Sequence, residues 1–275
     1  MAHQETLYQV SDRVATVTLN RPDKLNAWTG TMEQEVRASI YEAEQDPNVR
    51  VIILTGAGRG FCAGGDMSLL GEIATKGLGE RASALANTTN GQRAGVRPDF
   101  QKKYSYFPSI QKPVIAAVNG PAVGLGFVIT LYCDLRFASD AARFGTAFAK
   151  RGLIAEYGLA WMLPRLIGPS NALDMLFSAR LVDANDALRM GLVNRVFPQD
   201  QFLEGVQAYA KELAYSVSPR SMRVMKDQVY TAMFQTLSEA FESSEQEMLQ
   251  SLQCDDFKEG VAHFLEKRAA AFTGK

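Results

Sequence analysis

Two glycine-rich stretches of this sequence place backbone N–H groups where they could hold a developing negative charge. The first, residues 51–66, is an apolar run followed by a bend with glycine at positions 56, 58, 60, 64 and 65. The second, residues 113–126, has the same order of apolar run and glycine turn, and it leads directly into a helix. Glycine allows a backbone to approach a bound group closely. Two such turns facing each other could therefore hold one carbonyl oxygen from two sides.

The spacing of these glycines does not match the common nucleotide-binding turns. Phe61 stands where a dinucleotide-binding turn, Gly-x-Gly-x-x-Gly, needs its last glycine. No glycine loop continues into the Gly-Lys-Ser/Thr of a phosphate-binding loop. A purely structural turn stays open, although the second glycine-rich stretch weighs against it.

Histidine and cysteine are scarce in this chain. The histidines are His3, near the N-terminus, and His263, in a C-terminal helical pattern, so neither lies near the glycine motifs. Cys62, Cys133 and Cys254 have no paired spacing. The sequence therefore predicts no nucleophile–histidine system, disulfide framework or metal site, and it leaves carboxylates and backbone dipoles to do the chemistry.

The composition limits the partners. The 275 residues include 29 basic and 30 acidic side chains, a net charge of −1, whereas binding to a nucleic-acid backbone needs a basic surplus. No apolar run approaches the roughly 18–20 residues that span a membrane, and no secretory leader is visible. We therefore expect a cytoplasmic enzyme that acts without nucleic acid or membrane.

Apolar patterning predicts the elements that carry the motifs. A loop or lid margin is expected over residues 75–98, which lack periodicity. Gly168-Pro169 is expected to end the helix that carries Trp161, while Asp183 and Ser218 are expected to cap later helices. Strands are predicted at 7–10, 14–19, 51–54, 114–118 and 135–138, helices at 28–44, 100–110 and 124–131, and a strand–helix–strand unit at 181–196.

The sequence changes character near residue 200. Residues 1–200 alternate strands and helices and predict an α/β core. Residues 201–275 are helical almost throughout and amphipathic. Such a region more often packs against another surface than stands alone.

Four motifs together resemble the enoyl-CoA hydratase/isomerase (crotonase) family over residues 5–270. They are Asn-Arg-Pro-Asp-Lys-Leu-Asn-Ala at 20–27, Gly-Phe-Cys-Ala-Gly-Gly-Asp at 60–66, Lys-Pro-Val-Ile-Ala-Ala-Val-Asn-Gly at 112–120, and Cys133-Asp134. The resemblance implies a spiral of ββα units, with C-terminal helices that help to form a homotrimer or homohexamer. It also implies chemistry on acyl-CoA thioesters through an enolate, as in fatty acid metabolism. Coenzyme A would then arrive as part of the substrate, with no permanently bound cofactor.

The resemblance assigns the site residues by position. The backbone N–H groups of Gly65 and Leu125 would form the oxyanion hole. Phe264 and Lys267 could reach coenzyme A from a neighbouring subunit, with helix packing and a solvated charge as the alternative. The stretches that line the family's coenzyme A channel correspond to Lys24, Leu25, Ala27, Ala63, Asp66 and Met67.

The departures from the family pattern bear on the reaction. Hydratases of this family use two glutamates, and their positions hold Val128 and Phe148 here. Glu156 lies eight residues further on, in a position that resembles the single catalytic carboxylate of the peroxisomal-type Δ3,Δ2-enoyl-CoA isomerases. Its alternative role is to complement a helix N-terminus. Tyr157 and Trp161 are expected to line the acyl pocket or to pack in the core.

The leading expectation is Δ3,Δ2-enoyl-CoA isomerisation, with Glu156 as a base whose pKa is raised by burial. Three alternatives stay open. They are a 2-enoyl-CoA hydratase, other enolate chemistry such as thioester hydrolysis or decarboxylation, and a non-catalytic acyl-CoA-binding scaffold subunit.

Overall fold

The computed structural model describes residues 3–77 and 93–275 as an α/β fold. Helices and strands alternate up to β9, and helices follow from there to the C-terminus. The described strands are β1 (Thr6–Ser11), β2 (Val14–Leu19), β3 (Val51–Gly56), β4 (Val114–Val118), β5 (Pro121–Val123), β6 (Leu135–Ser139), β7 (Arg143–Gly145), β8 (Val182–Asp183) and β9 (Arg195–Phe197). The described helices are α1 (Gly30–Gln45), α2 (Met67–Lys76), α3 (Leu125–Tyr132), α4 (Leu159–Ser178), α5 (Ala184–Arg189), α6 (Phe202–Ser216), α7 (Pro219–Ala232), α8 (Leu237–Ser251) and α9 (Asp255–Glu266).

The strands form two sheets. The larger has the order β1-β2-β3-β4-β6-β9, in which β1 is antiparallel to β2 and every later neighbour is parallel. The smaller has the order β5-β7-β8. Because the parallel strands point the same way, the turns that leave β2, β3 and β4 share one edge of the large sheet, which is where ligands bind in such sheets.

Strand β3 shows why the apolar runs are continuous. Ile52 and Leu54 face the core that contains α1, whereas Val51 and Ile53 face the core under α6. A strand covered on both faces needs apolar side chains at every position. The first C-terminal helix thus packs on the sheet itself, and the domain boundary at residue 200 stays a prediction.

Several helix starts follow the predicted capping chemistry. The Asp183 side chain accepts a hydrogen bond from the backbone N–H of Asp186 at 2.8 Å. Ser218 does the same for Ser221 at 3.1 Å, with Pro219 as the first helical residue. These side chains satisfy N–H groups that have no partner within the helix.

The predicted helix over residues 100–110 is wrong. Two short 3-10 turns, Pro98–Gln101 and Phe107–Ser109, take its place. The aromatic side chains of this segment pack in different directions: Phe100 against Tyr230, and Tyr104 against Trp28. Tertiary packing outweighs local helix propensity here.

The predicted helix end at Gly168-Pro169 is wrong, because the helix only kinks there. Helix α4 continues to Ser178, and its backbone departs from helical angles only at Gly168, with φ 76° and ψ 158°. Glycine adopts this positive φ without the steric cost that a side chain would add.

Two further expectations concern the loop and the membrane. Most of the predicted lid margin at 75–98 falls on residues 78–92, which lie outside the described residues. Among the helices that the structure describes, none is both long and apolar enough to cross a membrane.

Candidate active site

The two glycine-rich turns lie side by side at the edge where β3 and β4 end. Cys62 and Ala122 pair as neighbouring parallel strands do. The Cys62 N–H donates to the Pro121 carbonyl at 3.0 Å, and the Val123 N–H donates to the Cys62 carbonyl at 2.9 Å. The predicted juxtaposition of the two turns is therefore present in the fold.

Glycine is required where the backbones of the two turns meet. A Cβ atom on Gly120 would overlap the carbonyl oxygen of Arg59, and one on Gly126 would overlap the carbonyl oxygen of Cys62. No real side chain tolerates such contacts, because a backbone neighbour cannot rotate away. These glycines allow the second turn to pack directly on the first.

Two asparagine side chains hold the first turn in shape. The buried Asn26 amide donates to the carbonyls of Ala57 at 2.9 Å and Gly60 at 2.8 Å. The buried Asn119 amide donates to the carbonyl of Gly58 at 2.9 Å. The carbonyls of this turn are thereby satisfied without water.

The predicted oxyanion donors lie next to this contact. The Trp28 N–H donates to Gly64 at 2.8 Å, and the Asp66 N–H donates to Trp28 at 3.0 Å, so the intervening N–H of Gly65 points away from Trp28. Leu125 is the first residue of α3, where an N–H has no acceptor within the helix. Within residues 3–77 and 93–275, neither N–H donates a hydrogen bond. A Cβ on Gly124 would lie 3.8 Å from the Cα of Gly64, so the two donor turns are in contact.

Glu156 lies in the turn that precedes α4. Its side chain is half-buried, and this burial raises the pKa of its carboxyl above the ordinary value. In the part of the chain that the structure describes, no hydrogen bond or ion pair reaches this carboxylate. The next residue, Tyr157, has a positive φ of 51°, and burial together with the Glu156 charge raises the pKa of its hydroxyl. A half-buried carboxylate without a partner is suited to accept a proton.

Helix α3 connects Glu156 to the oxyanion donors. Its last residue, Tyr132, donates its hydroxyl to the carbonyl of Tyr157 at 2.6 Å. Gly158 makes room for this hydroxyl, because a Cβ there would overlap it. An eight-residue helix is about 12 Å long, and its side chains lean toward the N-terminus. Tyr132 therefore links the Glu156 turn to the helix that begins with Leu125.

Aromatic contacts make a second connection, which joins the Glu156 turn to Trp28 beside the first glycine turn. The Tyr104 ring meets Trp28 edge-on at 6.2 Å and Tyr157 edge-on at 4.8 Å between centroids. The Tyr104 hydroxyl donates to Glu33 at 3.2 Å. A cavity of about 380 Å³ borders Tyr104, Tyr157 and Trp161. The expected position of Tyr157 and Trp161 beside an apolar pocket agrees with this cavity.

The stretches expected to line coenzyme A also lie together. The Ala63 N–H donates to the Leu25 carbonyl at 2.9 Å. Arg21 donates to the Ala27 carbonyl at 2.7 Å and pairs with Asp66 at 3.2 Å. Lys24 is exposed at the end of a 3-10 turn, and Met67 begins α2, with a side chain outside the described part of the structure. The assignment of these residues to coenzyme A stays a prediction.

Phe264 and Lys267 lie apart from the other predicted residues in the single chain. Phe264 is 77% exposed on α9, and Lys267 is exposed at its end. Among the contacts of the described residues, none joins them to the glycine turns or to Glu156. Their expected role through a neighbouring subunit stays a prediction.

The two buried cysteines are poorly suited to act as nucleophiles. Cys62 lies in the first turn and Cys133 follows α3, and burial raises the pKa of each thiol to about 12. The reactive form of cysteine is the thiolate, which such a pKa suppresses at neutral pH.

Comparisons with known proteins agree with this geometry. The sequence profile of the enoyl-CoA hydratase/isomerase family matches residues 9–275. The chain is 33% identical over 273 residues to a protein of Mycobacterium bovis named probable enoyl-CoA hydratase, with 99% of each chain covered. It is 31% identical over 277 residues to the 1,2-epoxyphenylacetyl-CoA isomerase of Escherichia coli, with 98% of each covered. The chain belongs to the enoyl-CoA hydratase/isomerase family.

Solved structures confirm the crotonase fold for this family member. An enoyl-CoA hydratase from Bacillus anthracis superposes with a TM-score of 0.87 at 28% identity, covering 99% of this chain and 100% of its own. The protein is accordingly an enzyme of the crotonase superfamily whose substrate class is acyl-CoA thioesters. Its nearness to the peroxisomal-type isomerases stays a prediction.

The positions of the family's hydratase glutamates are apolar. Val128 is buried in α3, and Phe148 is buried just before the 3-10 turn Ala149–Arg151. Neither side chain can transfer a proton. The carboxylate nearest to the cavity in the turn before α4 is that of Glu156, which directly precedes the lining residue Tyr157.

Sequence reasoning missed four residues that build the site. Arg21 and Asn26 fall within the quoted 20–27 motif, and their polar types in a predicted turn were the available signal. Tyr104 and Tyr132 gave no such signal, because their partners, Glu33 and the Tyr157 carbonyl, are 71 and 25 residues away along the chain.

We expect Gly120→Ala to destabilise the protein by about 3 kcal/mol, because the added methyl group meets the Arg59 backbone. Urea unfolding followed by circular dichroism measures the loss. Gly30→Ala is the matched control, since no heavy atom lies within 4 Å of its Cβ position. Equal stability of the two variants would contradict the direct packing of the turns.

We expect Tyr132→Phe to lower the free energy of unfolding by about 1 kcal/mol, through loss of the hydrogen bond to Tyr157. Tyr8→Phe is the control, because the Tyr8 hydroxyl is buried without a partner among the described residues. The same urea titration compares them, and a loss in Tyr8→Phe as large as that in Tyr132→Phe would show that the bond contributes nothing.

Proposed function

We infer that this enzyme moves the double bond of 3-enoyl-CoA thioesters to the 2-position, with Glu156 as its single base. The observation that carries the proposal is the half-buried Glu156 carboxylate with its raised pKa. Its neighbour Tyr157 lines a cavity and accepts a hydrogen bond from Tyr132, at the end of the helix that begins with Leu125. Apolar Val128 and Phe148 at the hydratase positions support a one-base reaction. Isomerisation needs one group that removes a proton and returns it.

The proposed steps use groups already in place. The thioester oxygen lies between the N–H groups of Gly65 and Leu125. Glu156 removes a proton from C2, and the electrons move into a dienolate whose charge rests on that oxygen. The protonated Glu156 then returns the proton to C4, which leaves the double bond between C2 and C3. The charge appears only as the reaction proceeds, so each preorganised donor lowers the barrier, by about 3 kcal/mol in an analogous site.

Helix α3, which begins with Leu125, also stabilises the anion through its partial positive charge. The N-terminus of a helix carries a partial positive charge, so the start of α3 favours an anion at its first N–H. The Gly124 N–H is occupied by the Gly145 carbonyl at 2.8 Å, which fixes the entry into the helix. The dienolate oxygen therefore meets donors that need no rearrangement.

Coenzyme A enters this proposal as part of the substrate, with no permanently bound cofactor. The pantetheine would follow the paired stretches at 24–27 and 63–66, and the exposed Lys24 would contact a phosphate. The homotrimer or homohexamer and the cytoplasmic location stay predictions.

Hydration of 2-enoyl-CoA is the second candidate. The Mycobacterium bovis relative, which is named a probable enoyl-CoA hydratase, favours this candidate. The Escherichia coli relative is named an isomerase. Hydration here would require Glu156 to activate a water without a second carboxylate at position 128 or 148. The two substrates separate the candidates, because 3-enoyl-CoA gains a conjugated absorbance on isomerisation and 2-enoyl-CoA loses it on hydration.

We expect Glu156→Gln to reduce isomerisation of 3-hexenoyl-CoA on the order of 10³-fold, because the amide cannot accept the C2 proton. The rate is followed at the absorbance of the conjugated thioester, and binding of hexanoyl-CoA is measured by calorimetry. We expect binding to persist in the variant.

Glu212→Gln, an exposed position on α6, is the matched control and should retain full activity. Full activity of Glu156→Gln would exclude Glu156 as the base. Turnover of crotonyl-CoA in place of 3-hexenoyl-CoA would establish hydration, and no turnover of either with intact binding would support a scaffold.

We expect kcat/KM for isomerisation to fall about tenfold per pH unit below the pKa of Glu156, because only its ionised form accepts the proton. Since burial raises this pKa, the fall begins at a higher pH than the ordinary 4.5 of a glutamate. A profile that stays flat down to pH 4.5 would contradict a buried base.

The raised pKa of Glu156 also predicts that the stability of the wild-type protein falls with rising pH, whereas its activity rises. A raised pKa in the folded state means that ionising Glu156 costs stability as the pH rises through that pKa. We therefore expect Glu156→Gln to gain stability relative to wild type as the pH rises from 4.5 to the folded-state pKa, with no further gain above it. Urea unfolding at several pH values measures the difference, and a difference that shrinks with rising pH would refute the shift.

A further inference from the structure

The cavity beside the Glu156 turn is walled by aromatic rings. It has a volume of about 380 Å³, within the range of small-molecule sites. The rings come from five parts of the chain: the 93–111 segment, α3, the turn before α4, the first turn of α4, and the segment that follows α7. They are Phe100, Tyr104, Tyr132, Tyr157, Trp161 and Phe234.

The hydroxyl groups of two wall tyrosines are already engaged. Tyr104 donates to Glu33, and Tyr132 donates to the Tyr157 carbonyl. Lys103, which also borders the cavity, pairs with Glu33 at 2.9 Å. With these polar groups directed elsewhere, the walls offer mainly ring surface, and the other charged neighbours are Asp99 and Lys102.

The outer wall is a preorganised stack. The rings of Trp161 and Phe234 lie 5.4 Å apart at 14°. Arg165 packs 3.9 Å from the Trp161 ring centre, and Arg97 packs 4.2 Å from that of Phe234. Cation–π contacts of this kind hold ring planes in place. Phe100 meets Phe234 edge-on at 5.9 Å, so ring faces and edges are both presented around the cavity.

Two lining residues connect the cavity to the proposed reactive elements. Tyr157 directly follows Glu156, and Tyr104 contacts Trp28, whose backbone is bonded to Gly64 and Asp66 on either side of the oxyanion donor. A group that extends from a thioester held at Gly65 would therefore meet this cavity next.

We propose that the cavity selects acyl groups that carry an aromatic ring, with the Trp161–Phe234 stack as the specificity-determining wall. The inference rests on the proposed acyl-CoA chemistry for the orientation of the substrate. An alkyl group gains only from leaving water, whereas an aromatic ring also gains from edge-to-face and offset-stacked contacts with fixed rings. Each such pair favours the aromatic ligand by about two- to tenfold.

The test compares two ligands of similar size, 3-phenylpropanoyl-CoA and 3-cyclohexylpropanoyl-CoA, with hexanoyl-CoA as a reference. Both ring ligands have saturated acyl chains, so neither is isomerised, and calorimetry on the wild-type protein gives their affinities. We expect the phenyl thioester to bind at least fivefold more tightly than the cyclohexyl thioester. Phe234→Leu should remove most of this preference while keeping hexanoyl-CoA affinity, because leucine retains the apolar bulk but not the ring.

Phe177→Leu is the matched control, since Phe177 is 75% exposed on α4 and lies outside the cavity. It should keep the wild-type preference. Equal wild-type affinity for the two ring ligands would overturn the inference and leave the acyl-CoA function standing. A preference that survives both Phe234→Leu and Trp161→Leu would also overturn it, because the ring would then bind elsewhere. Failure of all three thioesters to bind would instead refute the proposed function, and the inference with it.

Discussion

Direct backbone-to-backbone packing of two turns is the constraint on which this structure depends. Residues 56–66 and 119–126 approach so closely that glycine is required at Gly120 and Gly126. The parallel pairing of Cys62 with Ala122 fixes their register, and buried asparagines satisfy the carbonyls of the first turn. The proposed oxyanion donors are backbone N–H groups, which have no rotamers to order, so their precision would be that of the fold itself.

Helix α3 connects the two turns to the turn that carries Glu156. One end supplies the Leu125 N–H and its favourable partial charge, and the other end supplies the Tyr132 hydroxyl that holds the turn of Glu156. The turn adopts a positive φ at Tyr157, a conformation that other contacts must maintain. In the proposed mechanism, this one short helix positions both the donor for the developing negative charge and the turn that carries the base.

The sequence was informative where a local rule determines the structure. Apolar runs predicted buried parallel strands, glycine spacing predicted the paired turns, and cap chemistry predicted the starts of helices at Asp183 and Ser218. The sequence was uninformative where contacts between residues far apart in the chain determine the local structure. The aromatic side chains of residues 100–110 pack on separate partners and break the predicted helix, and Phe234 reaches the cavity from beyond the expected core. Glu156 could be singled out from its apolar neighbours, whereas its link to Tyr132 could not.

The burial of Cys62 has a chemical consequence for the proposed isomerisation, whose product is a conjugated thioester. Such compounds are Michael acceptors, and a thiolate beside the proposed oxyanion hole would add to their C3 and inactivate the protein. Burial raises the pKa of the Cys62 thiol, which suppresses the thiolate at neutral pH. The packing that brings the two turns together also encloses this sulfur and keeps it protonated. The same packing would therefore protect the enzyme from reaction with a conjugated thioester.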